Sequence, residues 1–157
     1  IQPMYNLVKR QAEVEILPMA HSLGVGVVTY SPTGGGLLTG KYGRATRPGC
    51  GRLIDNKMYQ TRYNDDAMYD IADAFTALAN ERGVAPATLA TAWVLGHRAV
   101  TSVILGARNV AQLEQTLAAA TYQLDAETYA AISALSPTPP PATDRNEESS
   151  SHNFGAR

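Results

Sequence analysis

Three apolar runs of strand length alternate with stretches of helical spacing, and this order constrains the fold more than any other feature. The runs cover residues 1–8, 25–30 and 100–105. Strands that alternate with helices form parallel sheets, because each helix returns the chain to the edge where the strand began. The fold class is therefore predicted to be α/β. All three runs are predicted to be buried strands, the first a short one whose ladder bonding Pro3 limits and the second with both faces covered.

Helical spacing of apolar residues predicts five helices. The first two cover residues 12–23 and 65–82. The third begins at Pro86, the fourth follows Asn109, and the fifth begins at Asp125. Pro18 lies inside the first one, so it either kinks that helix or marks its true first turn. The predicted inward residues are, helix by helix, Val14, Leu17, Ala20 and Leu23; Met68, Ile71, Phe75, Leu78 and Ala79; Leu89, Ala92 and Trp93; Val110, Leu113 and Leu117; and Tyr129, Ile132 and Leu135.

Two stretches lack a sustained period. Residues 43–63 are rich in glycine, arginine and polar residues, and they are predicted to form one long loop. At about twenty residues this loop exceeds the usual connection, which favours a functional or mobile lid. After Ser136 the chain is rich in proline and polar residues, so residues 137–157 are predicted to be an extended or disordered tail.

Composition limits the function as well as the size. The chain has 157 residues, of which 45% are hydrophobic, and this is enough for the core of a single domain. A net charge of −1 with interspersed acids and bases argues against a nucleic-acid or anionic-membrane surface. The lone Cys50 is compatible with a reducing cytosol, and no apolar run approaches the ~20 residues of a membrane span. Because the chain starts at Ile1 in strand-like sequence, we expect a piece of a longer protein.

The strongest functional signal follows the second run, where a parallel sheet presents the carboxyl ends of its strands. Tyr30 leads into Ser-Pro-Thr and then Gly34, Gly35 and Gly36, with Lys41 shortly after. A ring at a strand end can stack on a planar ligand such as a nicotinamide, and glycine amides with a lysine can hold phosphate. The other interpretations are a packed tyrosine, a flexible loop and a solvated lysine.

A second signal follows the third run. Arg108 and Asn109 stand at the start of a helix, and Gln112 completes a capping-box pattern with Asn109. The amino end of a helix favours phosphate through its unpaired N–H groups, and an arginine there suits a 2′-phosphate. An ordinary cap beside an exposed arginine is the other interpretation. The Gly-x-Gly-x-x-Gly fingerprint of dinucleotide-binding domains is absent from the sequence.

Other chemistry has little support in the sequence. The three histidines share no ligand spacing, and no cluster with cysteine or carboxylates suggests a metal. Ser31 and Ser102 lack a recognisable histidine–acid partner set. Asp65 and Asp66 are interpreted as acids at a helix start, and Trp93 as a core residue. No residue of this chain is therefore assigned to catalysis or to a metal.

Together these motifs make the chain similar to the aldo-keto reductases, in the bacterial branch related to voltage-gated potassium channel beta subunits. Three segments carry the resemblance, at residues 2–7, 30–42 and 105–113. They read Gln-Pro-Met-Tyr-Asn-Leu, Tyr-Ser-Pro-Thr-Gly-Gly-Gly-Leu-Leu-Thr-Gly-Lys-Tyr and Leu-Gly-Ala-Arg-Asn-Val-Ala-Gln-Leu. The resemblance extends over residues 1–136. It implies the carboxyl-terminal portion, strands six to eight with their helices, of a (β/α)8 TIM barrel that is incomplete in this chain.

The resemblance also implies an NADP(H) site. Gln2 matches the glutamine that hydrogen-bonds the nicotinamide carboxamide, Tyr30 matches the aromatic residue stacked on the nicotinamide, and Lys41 matches a lysine near phosphate. The loop that lines the pyrophosphate matches Ser31, Pro32, Thr33, Gly34 and Gly36. The adenosine-phosphate end matches Gly106, Arg108 and Gln112, with Gln115 and Thr116 in the places of a frequent Glu-Asn pair. Thr33 replaces a frequent leucine.

In this family an Asp, Tyr, Lys and His tetrad supports the reduction of an aldehyde or ketone, and the resemblance places that tetrad in a missing amino-terminal half-barrel. The first hypothesis is therefore the cofactor-binding portion of a cytoplasmic, NADPH-dependent reductase, inactive by itself. The second is a non-catalytic nucleotide-binding or regulatory subunit. The third is an inactive fragment whose open strand edges make it a homo-oligomer or prone to aggregation.

Overall fold

The computed structural model describes residues 1–63 and 65–140. In chain order, its helices and strands are α1 Ile16–Ser22, β1 Val28–Thr29, α2 Arg52–Asp55, α3 Lys57–Arg62, α4 Asp66–Glu81, α5 Pro86–Leu95, β2 Ser102–Val103, α6 Val110–Leu117 and α7 Ala126–Ala134. Short 3₁₀ segments lie at Gln11–Glu13, Gly34–Thr39 and Ala118–Ala120. None of the described helices is long and apolar enough to cross a membrane. The predicted tail lies outside the described residues from position 141 onward.

The two strands are parallel neighbours, with Thr29 opposite Val103. The first residues of the chain lie along the other side of β1, where Met4 and Tyr30 form a parallel bridge. This first run is a bridge and not a strand, since Pro3 has no N–H to donate. All three predicted runs thus lie side by side in the parallel sense, so their carboxyl ends meet at one edge.

The prediction that the second and third runs are fully buried is wrong. Val27 and Thr29 are buried, whereas Val28 and Tyr30 on the alternate face are half-buried. Next to β2, Ile104 is 41% exposed. Successive strand residues point to opposite faces, so in the described residues one face of this short sheet is packed and the other is accessible. An apolar run identifies a strand, but it does not tell which faces are covered.

The first helix settles the position of Pro18. This proline is the third residue of α1, so it lies in the first turn, where its missing N–H has no intrahelical partner in any case. Leu17 and Ala20 are buried as predicted. Leu23 is 69% exposed, contrary to the prediction, because it follows the last helical residue as the cap.

The prediction of an irregular loop over residues 43–63 is wrong in its second half, which contains α2 and α3. The Asn56 side chain caps α3 by accepting hydrogen bonds from the backbone N–H groups of Met58 and Tyr59. At α2, the carboxylate of Asp55 accepts from the N–H of Gly51. Helices this short depend on caps and tertiary contacts, not on an apolar period, so a periodicity search does not reveal them.

The two central helices carry the core at the predicted positions. Phe75 and Ala79 of α4 are buried, as are Leu89 and Trp93 of α5. Asp65 caps α4 by accepting from the N–H of the second helical residue. Nearly every side of α5 is covered, since its residues from the second to the ninth are all buried. This helix is therefore the centre around which the others pack.

The last helix is fixed to α5 and to the first segment of the chain. Asp125 caps α7, Ile132 is buried, and the Tyr129 ring stacks on Trp93 at a centroid distance of 5.8 Å. Arg10 donates to two carbonyls at the end of α7, at 2.9 and 3.1 Å. These contacts join the two ends of the described chain into one packed unit.

The predicted inner stripe of α6 is wrong. Val110, Leu113 and Leu117 are 70%, 38% and 51% exposed. Thr116 is buried instead, and the hydroxyl of Thr88 on α5 donates to a carbonyl of α6 at 2.6 Å. The helix thus turns its small polar face to α5. A helical period locates an apolar stripe, but it does not identify what that stripe contacts.

Replacing Thr29 by valine is expected to stabilise the protein. The Thr29 hydroxyl is fully buried and has no hydrogen-bond partner among the described residues. An unpaired buried hydroxyl costs about 1–3 kcal/mol, and valine has nearly the same shape without it. Thermal or urea unfolding should show that Thr29→Val is more stable than the unsubstituted protein by about 1 kcal/mol.

The matched control for this experiment is Thr91→Val. Thr91 is equally buried, but its hydroxyl donates to the Ala87 carbonyl at 2.9 Å. Its replacement should therefore be neutral or destabilising. Equal effects of the two substitutions would show that the Thr29 hydroxyl is satisfied in the folded protein.

Candidate functional site

A cavity of about 230 Å³ lies where the segments that follow β1 and β2 meet. Thr33, Gly35, Gly36, Thr39 and Lys41 line it after β1, Arg52 and Ala87 come from α2 and α5, and Gly106, Ala107, Arg108, Gln112, Gln115 and Thr116 follow β2. The structure therefore brings together the two segments that the sequence marked as separate phosphate signals. Eight of the predicted residues are in the lining, namely Thr33, Gly36, Lys41, Gly106, Arg108, Gln112, Gln115 and Thr116.

Three cationic side chains converge on this cavity. Lys41, Arg52 and Arg108 all line it. Partial burial lowers the pKa of Lys41 from its ordinary value, and the positive charges of Arg108 and Arg52 lower it further. Within residues 1–63 and 65–140, none of the three forms an ion pair with a carboxylate. The wall of the cavity is therefore positively charged without a compensating acid among the described residues.

Two glycines of the triplet Gly34–Gly36, namely Gly35 and Gly36, line the cavity. Gly35 and Gly36 have φ of +67° and +103°, conformations that L side chains rarely adopt. A Cβ on Gly36 would lie 3.4 Å from Cε of Lys41, so the lysine stem passes directly over this residue. A Cβ on Gly35 would lie 2.7 Å from Cδ1 of Tyr59. The second glycine is thus needed for packing against α3, and the third leaves room for the lysine.

Five predicted residues lie outside the lining of this cavity, namely Gln2, Tyr30, Ser31, Pro32 and Gly34. Gly34 is buried, and a Cβ there would lie 3.5 Å from both Tyr63 and Val8. Tyr30 is half-buried at the end of β1, and the exposed Gln2 lies in the first segment, on the far side of β1 from β2. Gln2 thus lies beside Val28 and Tyr30 beside Met4, so both residues pair on the side of β1 away from β2 and lie outside the cavity lining.

The amino end of α6 is ordered by two side-chain hydrogen bonds. The Asn109 side chain accepts from the Gln112 N–H at 3.0 Å, and the Gln112 side chain accepts from the Arg108 N–H at 3.0 Å. The predicted capping box is thus present with its return bond shifted by one residue, from the cap to the residue before it. This shift fixes the backbone of Arg108, whose side chain lines the cavity.

Sequence reasoning missed Arg52 as a lining residue. It lies in the 43–63 segment, which was predicted as a lid without any residue being assigned to the site. Its guanidinium lies 5.0 Å from the centroid of the Tyr59 ring. A usable signal existed, since an arginine within a predicted lid beside a glycine loop can reach the same phosphate. Thr39, Ala87 and Ala107 also line the cavity without having been assigned to it, and so does Gly35, which was predicted as one of three phosphate-binding glycines.

Comparison with known proteins gives a consistent result. Residues 1–137 match the family model described as Aldo/keto reductase family. An uncharacterized oxidoreductase, YrpG of Bacillus subtilis (strain 168), is 36% identical over 141 residues, which are 88% of this chain and 40% of that protein. A probable voltage-gated potassium channel subunit beta of Arabidopsis thaliana is 36% identical over 123 residues, which are 75% of this chain and 37% of that protein.

A solved structure extends the comparison to the backbone. The glycerol dehydrogenase AKR11B4 from Gluconobacter oxydans is similar with a TM-score of 0.69 and 30% sequence identity. The match covers 92% of this chain and 45% of that one. This chain therefore spans about two fifths of the length of the curated relatives it matches.

Proposed function

The chain belongs to the aldo/keto reductase family, as its three segments predicted, and we propose that it is the carboxyl-terminal, NADP(H)-binding portion of a (β/α)8 barrel. The proposed barrel part covers residues 1–136. The parent protein is a cytoplasmic oxidoreductase that reduces an aldehyde or a ketone to an alcohol. When bound, the cofactor supplies the hydride, and the residues of this chain hold and orient it.

One observation carries this proposal, the convergence of Lys41, Arg52 and Arg108 on a glycine-lined cavity. Like charges held close together repel one another, and the pKa of Lys41 is lowered by partial burial first and then by this repulsion. An anionic ligand removes the repulsion and gains charge-assisted hydrogen bonds. A phosphorylated dinucleotide matches the cavity better than a neutral ligand, because it brings a pyrophosphate and a separate phosphate.

The two sides of the cavity suggest which phosphate each side holds. Gly35, Gly36, Lys41 and Arg52 come from the β1 side and can face a pyrophosphate. Arg108 lies before α6, where the helix amino end and a guanidinium together favour a terminal phosphate. A 2′-phosphate in this place distinguishes NADP(H) from NAD(H). Gln2 and Tyr30, which lie outside this cavity, keep their proposed places at the nicotinamide.

The exposed apolar surface supports a missing amino-terminal half-barrel as the partner. Large apolar side chains are exposed at Ile1 in the first segment, at Val25 and Ile104 next to the two strands, and at Val110 and Leu117 on α6. Contiguous exposed apolar surface indicates an interaction surface. We propose that the half-barrel covers it, and that the proton donor to the carbonyl oxygen comes from that half, because such a donor must lie within hydrogen-bond reach.

The test compares cofactors in the full-length protein that carries this segment. Arg108→Ala should weaken NADPH binding about 10- to 100-fold, because a hydrogen bond to a charged group contributes about 1.5–3 kcal/mol. NADH binding should change little, so the NADPH-over-NADH ratio of dissociation constants falls. Fluorescence titration measures both constants, and NADPH consumption with reactive aldehydes and ketones measures turnover.

Arg98→Ala is the control for this substitution, since Arg98 is exposed and does not line the cavity. It should leave both dissociation constants unchanged. An unaltered cofactor ratio in Arg108→Ala would remove the 2′-phosphate assignment. Failure of the unsubstituted protein to bind either nucleotide would reject the proposed function.

A non-catalytic nucleotide-binding subunit is the second candidate. The 36% identity to a probable potassium channel beta subunit favours it. The same experiment separates the two candidates. Tight NADPH binding with no turnover of any reactive aldehyde or ketone supports the binding subunit, whereas turnover supports the reductase.

A further inference from the structure

We propose that Asn6 is a positioning residue for the phosphate cavity, because its side-chain amide joins the start of the glycine loop to Tyr63 at the end of α3. The inference rests on the proposed function and goes beyond it. Asn6 does not line the cavity. It is fully buried, and both ends of its amide are used.

The first contact of Asn6 holds an unusual backbone conformation. Ser31 has φ of 61°, and within the described residues it is the sole non-glycine residue with positive φ. An L residue in this conformation costs about 1–2 kcal/mol relative to its usual one. The Ser31 carbonyl accepts from Asn6 Nδ2 at 2.9 Å and from the Gly34 N–H at 2.9 Å. Asn6 therefore orients the carbonyl on which the first turn of the glycine loop closes.

The second contact reaches the 43–63 segment. Asn6 Nδ2 also lies 3.4 Å from the hydroxyl oxygen of Tyr63, and that hydroxyl lies 3.7 Å from the sulfur of Met4. Burial raises the pKa of Tyr63, although its hydrogen bonds to Asn6 and Ser31 oppose the rise. The tyrosine thus stays a neutral phenol. Its ring packs against Gly34 and Gly35, since a Cβ placed on either glycine would lie within 3.5 Å of a ring carbon of Tyr63.

From Tyr63 the contacts continue to the cation missed by sequence reasoning. The rings of Tyr59 and Tyr63 stack with a centroid distance of 6.4 Å and an interplanar angle of 15°. Tyr59 in turn lies against Gly35 and beneath the guanidinium of Arg52. One buried amide therefore sets the glycine loop and the arginine relative to each other. The Arg108 side of the cavity has no part in this set of contacts.

Because Asn6 is connected to the glycine and Arg52 side of the cavity and not to the Arg108 side, a positioning role can be distinguished from a general structural one. Asn6→Ala leaves room for water, which can satisfy the Ser31 carbonyl without fixing its direction. In the full-length protein, NADPH binding should weaken about tenfold, as expected when a well-placed contact is lost. Binding of 2′,5′-ADP, which has no pyrophosphate, should change less than about threefold. Both are titrated well below the melting temperature of the variant.

The outcomes are distinct. Loss of NADPH affinity with 2′,5′-ADP binding retained supports the positioning role. Unchanged NADPH binding, or equal weakening of both ligands, overturns it. If Asn6→Ala does not fold, Asn6→Asp decides by the same two titrations, because it keeps the acceptor for the Val8 N–H and removes the donor to Ser31. If the unsubstituted protein binds neither ligand, the proposed function fails and not this inference alone.

Discussion

Gly35→Ala is expected to destabilise the protein by several kcal/mol and to remove most of its affinity for NADPH. Gly35 has φ of +67°, and an added Cβ would lie 2.7 Å from Cδ1 and 3.0 Å from Cε1 of Tyr59. The left-handed conformation costs alanine about 1–2 kcal/mol, and overpacking adds about 1–3 kcal/mol. Tyr59 cannot move away freely, because it stacks on Tyr63 and supports Arg52. Thermal unfolding and NADPH titration measure the two effects.

Two other glycines of this chain provide matched controls. Gly24 and Gly83 each have φ of +64°, and a Cβ at either position would have no atom within 4 Å. Alanine at these positions therefore has the same backbone cost without the collision. Each should lose about 1–2 kcal/mol of stability and keep its NADPH affinity. Gly35→Ala with an effect no larger than these would show that the Tyr59 ring yields easily.

A double variant separates the collision from the backbone cost. Adding Tyr59→Ala to Gly35→Ala removes the ring that the new Cβ meets. Stability should then recover in part, and the coupling between the two substitutions should be favourable. Affinity for NADPH should stay low, because Arg52 has also lost its support.

Local signals in the sequence predicted much of the fold. Asn109 caps the helix it was expected to cap, and Asp65 and Asp125, which were expected only at the starts of their helices, are also caps, because a cap needs only a side-chain oxygen next to nearby N–H groups. Pro18 and Gly24 also act through their own backbone. The parallel alternation of strands and helices follows from similar local patterns. Such features were predictable because their physics involves few residues.

Features that depend on distant partners were not predictable in this way. The sequence of α6 has an apolar stripe, yet Val110 in that stripe is 70% exposed. The helical period locates the stripe but does not indicate which surface it packs against. Helices α2 and α3 are held by Asn56, Asp55 and contacts to other segments, so their sequence shows no apolar period. Arg52 was missed for the same reason. Its position at the cavity depends on how the 43–63 segment folds, and the sequence pattern did not indicate that fold.

The same distinction between local signals and distant partners applies to the candidate site. Glycines, a lysine and an arginine at two strand exits were visible because parallel strands end at one edge. The sequence did not show that Gly34 and Gly35 pack against Tyr63 and Tyr59. Gly34 thus serves protein packing, Gly35 serves packing and also lines the cavity, and Gly36 lines the cavity next to Lys41. The residue type is the same at each position, and only the neighbouring side chains distinguish these roles.

The second large effect, a loss of NADPH affinity, is expected when either Lys41 or Arg52 loses its positive charge. Lys41→Met and Arg52→Met keep an unbranched side chain but remove the charge, and both residues line the cavity. Each should weaken NADPH binding about 10- to 100-fold, because charge-assisted hydrogen bonds to phosphate are lost. Lys57→Met is the control, since Lys57 lies on the same segment of the chain as Arg52 but outside the lining. It should bind NADPH with unchanged affinity.

The pH dependence of binding tests the electrostatic reason for this effect. Partial burial, then Arg108, then Arg52 lower the pKa of Lys41, so the ammonium loses its proton at a lower pH than an ordinary lysine. Phosphate prefers the charged form, so NADPH affinity should fall as pH rises through this lowered pKa. Arg108→Ala removes a neighbouring positive charge, which raises the pKa of Lys41 and moves the fall to higher pH. Dissociation constants measured over an alkaline pH series show the shift, whereas a pH profile identical in Arg108→Ala and the unsubstituted protein would mean that these two cations do not share one ligand site.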